Sequence, residues 1–249
     1  MERPSGAALI TFFCNEPFSA PGQILLGTEA AQHLRVLRAG AGQAVALRDG
    51  KGGAASGLVA RLAKRSVTID VTEVSRIEAQ HPVHLMVPVA DRDRMLMLAE
   101  KCTELSATSW RPVMWRRSRS VGPLGDGPAF QARVQGRMVA ALTQSGGGWL
   151  PDVHPSAPLS RAMAAAPAGT RLMLDARAEQ PLAVVTMTAP VVIAIGPEGG
   201  IEPAESAELI SAGFTPVRIA GSVLRFETAG MSALAVVRCL LDKGGSSNA

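Results

Sequence analysis

Two short stretches carry residue types that could do chemistry together. The first is Gly196-Pro197-Glu198-Gly199-Gly200, which follows five apolar residues, Val191 to Ile195. The second is Leu224-Arg225-Phe226-Glu227-Thr228-Ala229. A glycine turn leaving a buried strand brings backbone close to a ligand, because glycine has no Cβ and reaches positive φ. An arginine and a glutamate just before a helix could stabilise an anion and orient one another. Each stretch also has a plain reading. The glycines could mark an ordinary strand–turn–helix corner, and Glu227 with Thr228 could simply complement and cap a helix N-terminus. Neither plain reading accounts for Arg225 at the edge where the glycine loop lies.

The elements that must position these stretches follow from periodicity. From Val83 onward, apolar runs of strand length alternate with helical patterns: strand Val83–Ala90, helix Asp91–Leu105 with Asp91 as N-cap, and strand Ala107–Met114. Helix Phe130–Gln144, short helix Leu159–Ala166, strand Arg171–Ala176, strand Val191–Ile195 and helix Ile201–Ala212 come next, then strand Pro216–Ile219 and helix Thr228–Leu241. Such alternation predicts an α/β domain with a largely parallel sheet. Ligands bind such sheets outside the carboxyl ends of the strands. The loops expected there are Asp175–Gln180, Gly196–Gly200 and Ala220–Thr228. Residues 8–78 read instead as short strands with glycine turns, a small β-barrel. The barrel holds one helix over Glu29–Arg38, with Leu34, Leu37 and Ala30 facing inward. The polar stretch Arg76–Pro82 separates the two parts.

Composition narrows the classes. The chain has 249 residues, 47% hydrophobic and 18% charged, with net charge +4, which describes a globular protein of one or two domains. The positive excess is uneven: residues 1–78 carry 9 Lys/Arg against 7 Asp/Glu, residues 79–170 carry 10 against 6, and residues 171–249 carry 6 against 8. No apolar run reaches membrane-helix length. Three distant cysteines and four scattered histidines show no metal or disulfide spacing, which predicts a cytoplasmic protein without a metal. No G-x-G-x-x-G opens the second domain and no G-x-x-x-x-G-K-[ST] occurs, which disfavours dinucleotide and P-loop chemistry. The run Trp110–Arg119 holds four arginines, two tryptophans and no acid. Arginine forks suit phosphate, and indoles or guanidinium planes suit base stacking. A solvated loop beside a buried tryptophan remains the alternative.

Gly196–Gly200 followed by Leu224-Arg225-x-Glu227-Thr228-Ala229 resembles the bacterial 16S ribosomal RNA uridine-N3 methyltransferases. These belong to the SPOUT superfamily of trefoil-knotted, S-adenosyl-L-methionine-dependent enzymes. Glu100–Leu105 with Arg117-Ser118, His33-Leu34-x-Val36-Leu37-Arg38, and Gln144-Ser145 with Pro151 extend the resemblance over nearly the whole chain. It departs at Thr143, where the family often has glutamate, and at Gly147 and Val223, where it usually has arginine. The resemblance implies a PUA-like RNA-binding β-barrel over 1–78 and a SPOUT domain with a C-terminal knot over 83–249. It implies methyl transfer from S-adenosyl-L-methionine to N3 of a uridine in 16S ribosomal RNA, within the assembled small subunit, by a homodimer. Leu174, Ile195, Gly196, Pro197, Gly199, Gly200, Ile219, Gly221 and Leu224 would then hold the cofactor. Arg225 would stabilise the uracil anion, Glu227 would orient Arg225, and Glu198 would shape the loop or contact substrate. His33, Arg35, Arg38, Arg116, Arg117 and Arg119 would contact RNA. Gly230, Leu234, Val237 and Leu241 would offer a subunit interface, unless they are ordinary core. The competing readings are a SPOUT methyltransferase for another ribosomal or transfer RNA site, a non-catalytic ribosome assembly factor, and an unrelated nucleotide-dependent enzyme.

Overall fold

The structure is a computed structural model that describes residues 9–118 and 126–245. The chain forms two compact units. One takes the chain to Ala79 together with Leu142–Trp149, and the other takes Gln80–Ala141 and everything from Leu150.

The first unit is a five-stranded sheet. Its strands are β1 (Ile10–Phe13), β2 (Gly22–Leu26), β3 (Ala44–Arg48), β4 (Gly53–Leu62) and β5 (Val67–Arg76), in the order β1-β3-β4-β5-β2. β1 runs parallel to β3 and the other pairings are antiparallel. Along β5, Val67, Ile69 and Val71 are buried and their successors more open, the period-two pattern of a half-buried strand. The core gathers Phe12, Leu26, Val45, Leu47 and Ile69 from all but one of these strands, with Val59 from β4. Register shifts at Ser56/Gly57 and Val59/Arg61 bend β4 against β5. Only glycine fits at 57, where a Cβ would lie 2.3 Å from the Asp70 carbonyl oxygen.

Helix α1 (Thr28–Val36) covers this core with Ala31 and Leu34. Leu37, expected inside, is half exposed; the helix ends before it and Leu37 occupies the C-cap. The segment 142–149 joins the same unit. The Gly52 N–H donates to the Gly148 carbonyl at 2.8 Å, and the Trp149 indole N–H donates to the Ile77 carbonyl at 2.9 Å.

The second unit is a parallel sheet with helices on both faces. Its strands are β6 (Val83–Pro88), β7 (Ser109–Met114), β8 (Asp152–Val153), β9 (Ala157–Pro158), β10 (Thr170–Leu174), β11 (Val191–Ala194) and β12 (Thr215–Val217). The order is β12-β10-β11-β6-β7-β8, with β9 also on β7. Every printed pairing among them is parallel. β11 therefore lies between two strands that precede it in sequence.

The helices are α2 (Arg92–Glu104), α3 (Pro128–Ser145), α4 (Leu159–Ala164), α5 (Pro203–Ser211) and α6 (Phe226–Gly245). The Asp91 side chain caps α2 by accepting from the Arg94 N–H at 3.1 Å. Odd positions of β6 and β11 (Val83, Leu85, Val191, Ile193) pack with α2 and α6 residues. Even positions (Met86, Val192, Ala194) pack with α4 and α5 residues.

Helix α6 departs from expectation in two ways. It begins at Phe226, with the Ala229 N–H donating to the Arg225 carbonyl at 2.8 Å, so Thr228 lies inside the first turn and is not its cap. The face expected to meet a second subunit is core: Leu234, Val237 and Leu241 are buried against α2 residues within one chain. Gly230 is a close approach of that kind. A Cβ there would lie 2.9 Å from both the Ile195 and Leu98 side chains. Further along, the buried Arg238 guanidinium donates to the carbonyls of His81, Leu105 and Ser106, and burial pulls its pKa down to about 10.

Among the described residues, no helix is long and apolar enough to cross a membrane, and no cluster of side chains could hold a metal ion. At the amino ends of β6, β7 and β8, His84 and Ser109 face one another, Nδ1 to Oγ 2.8 Å. Burial, then Arg111, lowers the pKa of both His84 and His154 below the usual imidazole range. The unfolded chain thus binds protons that the folded chain refuses. This contribution to stability is complete above the ordinary imidazole pKa of about 6.5 and is lost as pH falls through the folded values. Urea midpoints at pH 7.5 and 5.5 should show a smaller acid loss for His84→Gln than for the parent chain. Equal losses would exclude His84 as a source of the slope.

Candidate cofactor and substrate site

A cavity of about 880 Å³ opens at the carboxyl ends of β10, β11 and β12. Three loops build it, 174–177, 195–201 and 219–224, in the places expected from the alternation of strands and helices. Leu174, Ile195, Ile219 and Leu224 supply apolar wall, and Gly196, Pro197, Gly199 and Gly200 supply backbone. Gly221 is not among the lining residues, although its neighbours Ala220 and Ser222 are. The volume and mixed lining fit a small molecule with an apolar body and a few polar groups.

The glycines are needed for a different reason than ligand approach alone. Gly200 sits at φ +74°, and its N–H closes the turn onto the Pro197 carbonyl at 2.8 Å. A Cβ on Gly196 would lie 2.7 Å from Ile201, and one on Gly199 would lie 3.1 Å from Arg117. The loop is thus compressed against its own chain.

Arg117 comes from the turn after β7. It donates to the Gly199 carbonyl at 3.2 Å and lies 3.5 Å from Glu202, while Arg116 reaches Glu202 at 3.7 Å. Beneath them Glu205 is buried. Its two oxygens accept from the Arg116 N–H at 2.8 Å and the Glu202 N–H at 3.1 Å. The second bond completes a capping box at the start of α5. Arg116 and Arg117 remain exposed beside the cavity, whereas Arg119 lies outside the described residues. The indoles of Trp110 and Trp115 are buried, so neither is available to stack on a base; both are core.

Arg225 is exposed at the start of α6, and its side chain has no hydrogen-bond or ionic partner among the described residues. Glu227 does not orient it. Glu227 is buried, and its nearest cation is Arg94, whose Nε lies 3.9 Å away. The same guanidinium donates to Glu198 at 3.0 Å. Sequence reasoning missed Arg94. A signal was present, because cations in the first turn of a helix oppose the helix dipole, and Arg92 and Arg94 both sit there, at the edge where ligands bind.

In the first unit, His33 packs edge-on against Phe12 with ring centres 5.7 Å apart, and Arg35 donates to the Ala63 carbonyl. Arg38, in the left-handed region at φ +54°, is exposed with no side-chain partner among the described residues.

Comparison with known proteins agrees with this geometry. The RNA methyltransferase domain family matches residues 78–238, and the RNA methyltransferase PUA domain family matches residues 26–72. The chain belongs to the RNA methyltransferase family. It is 31% identical over 238 residues to ribosomal RNA small subunit methyltransferase E of Synechocystis, covering 90% of this chain and 77% of that one. The ribosomal RNA small subunit methyltransferase E of Neisseria gonorrhoeae, solved with S-adenosyl methionine bound, superposes with a TM-score of 0.86. The two are 26% identical, over 94% of this chain and 98% of that one. A Legionella pneumophila protein at 24% identity, with coverages of 94% and 98%, shares the fold with a TM-score of 0.83. The expected fold class therefore holds: a SPOUT-type parallel sheet preceded by a PUA-like domain.

Within this family member, Glu205 ties the arginine turn to the glycine loop. Glu205→Ala leaves two part-buried backbone donors without their carboxylate and should lower unfolding stability by about 1–2 kcal/mol, the low end of the roughly 1–3 kcal/mol per unsatisfied buried group because water partly reaches them. Urea unfolding measures this. An unchanged midpoint would mean that the two donors find other partners.

Proposed function

We propose that this chain transfers a methyl group from S-adenosyl-L-methionine to N3 of a uridine in 16S ribosomal RNA, taking the assembled small subunit as substrate. One observation carries the reading. In a chain of this family, the Gly196–Gly200 loop meets Leu224 and Phe226, the neighbours of Arg225, on one cavity at the carboxyl edge of the sheet. The cavity walls fit the cofactor: Leu174, Ile195, Ile219 and Leu224 suit an adenosyl group, and backbone of the glycine loop suits its polar edge. The bound cofactor supplies an electrophilic methyl on a sulfonium centre. The chain's own task is to bring N3 into line and to stabilise the base as N3 loses its proton, so positioning dominates.

Arg225, unpaired and exposed next to the cavity residue Leu224, takes the developing uracil anion. Arg116 and Arg117 hold RNA phosphates beside the cavity, and Arg119, outside the described residues, takes the same role on the family resemblance. Arg38 contacts RNA phosphate from the PUA-like domain, with His33 and Arg35 shaping its helix. The target base reaches the cavity only when unpaired or flipped out.

We assign residues 1–78 to RNA binding and 83–249 to methyl transfer. We read the latter as trefoil-knotted, a reading supported by the insertion of β11 between the earlier β6 and β10. We further read the enzyme as a cytoplasmic homodimer in which the partner adds RNA contacts.

The test is methyl incorporation into small subunits from a strain lacking the protein, with the modified nucleoside mapped by mass spectrometry. 3-Methyluridine in 16S RNA supports the reading, and methylation at another atom or RNA overturns it. Arg225→Ala should lower the single-turnover rate by about 100-fold, the scale of losing one anion-stabilising donor. Its unfolding midpoint and S-adenosylhomocysteine affinity should stay near the parent values. Unchanged turnover would remove Arg225 from the chemistry.

A further inference from the structure

The side chains of Arg94, Glu198 and Glu227 come from three separate elements: α2, the glycine loop and α6. Arg94 Nη1 lies 3.0 Å from Glu198 and Nε lies 3.9 Å from Glu227. Glu227 is 6% exposed, and its Oε2 is buried without a partner among the described residues. A carboxylate in so dry a position costs several kcal/mol unless a cation answers it, and Arg94 is the cation that reaches it.

The position of Arg94 is otherwise unfavourable. It sits in the first turn of α2, where the helix dipole disfavours positive charge. The Asp91 cap takes its backbone N–H and leaves its guanidinium free to reach outward. Other cations nearby do not answer these two carboxylates: Arg117 is held by Gly199 and Glu202, and Arg225 has no ion pair among the described residues.

Both carboxylates adjoin the cavity wall. Pro197 and Gly199 flank Glu198, and Phe226 and Ala229 lie beside Glu227; all four line the cavity. We propose that Arg94 is a positioning residue for methyl transfer, clamping Glu198 of the glycine loop and Glu227 of α6 on one guanidinium so that loop and helix form a single wall. This rests on the reading that methyl transfer occurs at this cavity. The planar fork matters, because the two carboxylates meet different nitrogens, Nη1 and Nε, and a lysine ammonium presents a single point of charge.

The experiment measures single-turnover transfer of labelled methyl at saturating cofactor. Its substrates are small subunits and total ribosomal RNA from a strain lacking the protein. Arg94→Met should lower the rate at least tenfold and Arg94→Lys about threefold. Arg94→Lys should keep the parent's unfolding midpoint, whereas Arg94→Met should lower it while leaving the protein folded at the assay temperature, because Glu227 then loses its cation. Both should bind S-adenosylhomocysteine within about threefold of the parent. Glu198→Gln should slow the parent chain but add nothing in the Arg94→Met background, because the clamp is then already open. An Arg94→Met rate within threefold of the parent overturns the proposal, as does a Glu198→Gln loss of equal size in both backgrounds. If Arg94→Met is unstable, the Arg94→Lys rate decides, and a parent-like value overturns the proposal. The readout is total label transferred, so it does not depend on which base atom is methylated. Nucleoside analysis tests the uridine-N3 reading separately.

Discussion

A strand buried on both faces can present chemistry only at its ends. β11 is such a strand: Val191 to Ala194 are all buried, with β6 on one side and β10 on the other. Nothing along its length reaches solvent, so the chain can first meet a ligand where β11 stops, at Ile195 and the glycine loop. The same geometry applies to β10 and β12, its parallel neighbours. Parallel pairing places their exits on one edge, and three loops far apart in sequence become three walls of one cavity. The helices serve this arrangement by filling both faces. Gly230 lets α6 lie directly against Ile195 and Leu98, which seats the start of α6, and with it Phe226, at the cavity.

Charge around the cavity divides into a used set and a free set. Glu202 is answered by Arg116 and Arg117, Glu205 by two backbone donors, and Glu198 and Glu227 by Arg94. These pairs join loops and helices that hydrogen bonding within the sheet does not connect. The more exposed of these pairs, on Glu198 and Glu202, add little to stability, so their value lies in fixing where the loops stand. Arg225 belongs to the free set, with no partner to neutralise it. On the proposed reading this suits Arg225 to a developing anion, because an unpaired guanidinium need not first be stripped from another carboxylate.

The sequence carried the strand–helix alternation, the parallel sheet and the identity of the three loops, since these depend on local apolar periodicity and on glycine. It did not carry the partners of long side chains. Glu227 stands two residues from Arg225, and proximity in the chain suggested a pair. In the helix that begins at Phe226 the two side chains leave in different directions, and the partner of Glu227 comes from α2, more than a hundred residues earlier. The tryptophans failed for a similar reason. Trp110 occupies an alternating position of β7 that faces the core, and Trp115 closes the opposite layer. Their composition with arginine looked like a stacking surface, but strand phase decided their burial. Leu37 and Thr228 were misplaced by one turn or less, where helix ends depend on capping that periodicity does not record.

The glycine run 146–148 bears on the RNA-facing departures of this chain. Gly146 ends α3 at φ +74°, a left-handed position that glycine suits. Gly148 has no room for a side chain, because a Cβ would lie 2.7 Å from Ile77. Gly147 differs from both: a Cβ there would meet Leu142 and Ser145 at 3.4 Å, ordinary contact, and its backbone is not left-handed. Two of the three glycines are therefore structural, and the third is a side chain omitted where the fold would accept one. The position at which the family resemblance leads one to expect arginine is also the one place in the run that could carry it. The absence of a guanidinium at 147 is thus a property of the residue chosen and not of the backbone. The first unit does present an exposed cation elsewhere, at Arg38, whose side chain has no partner among the described residues.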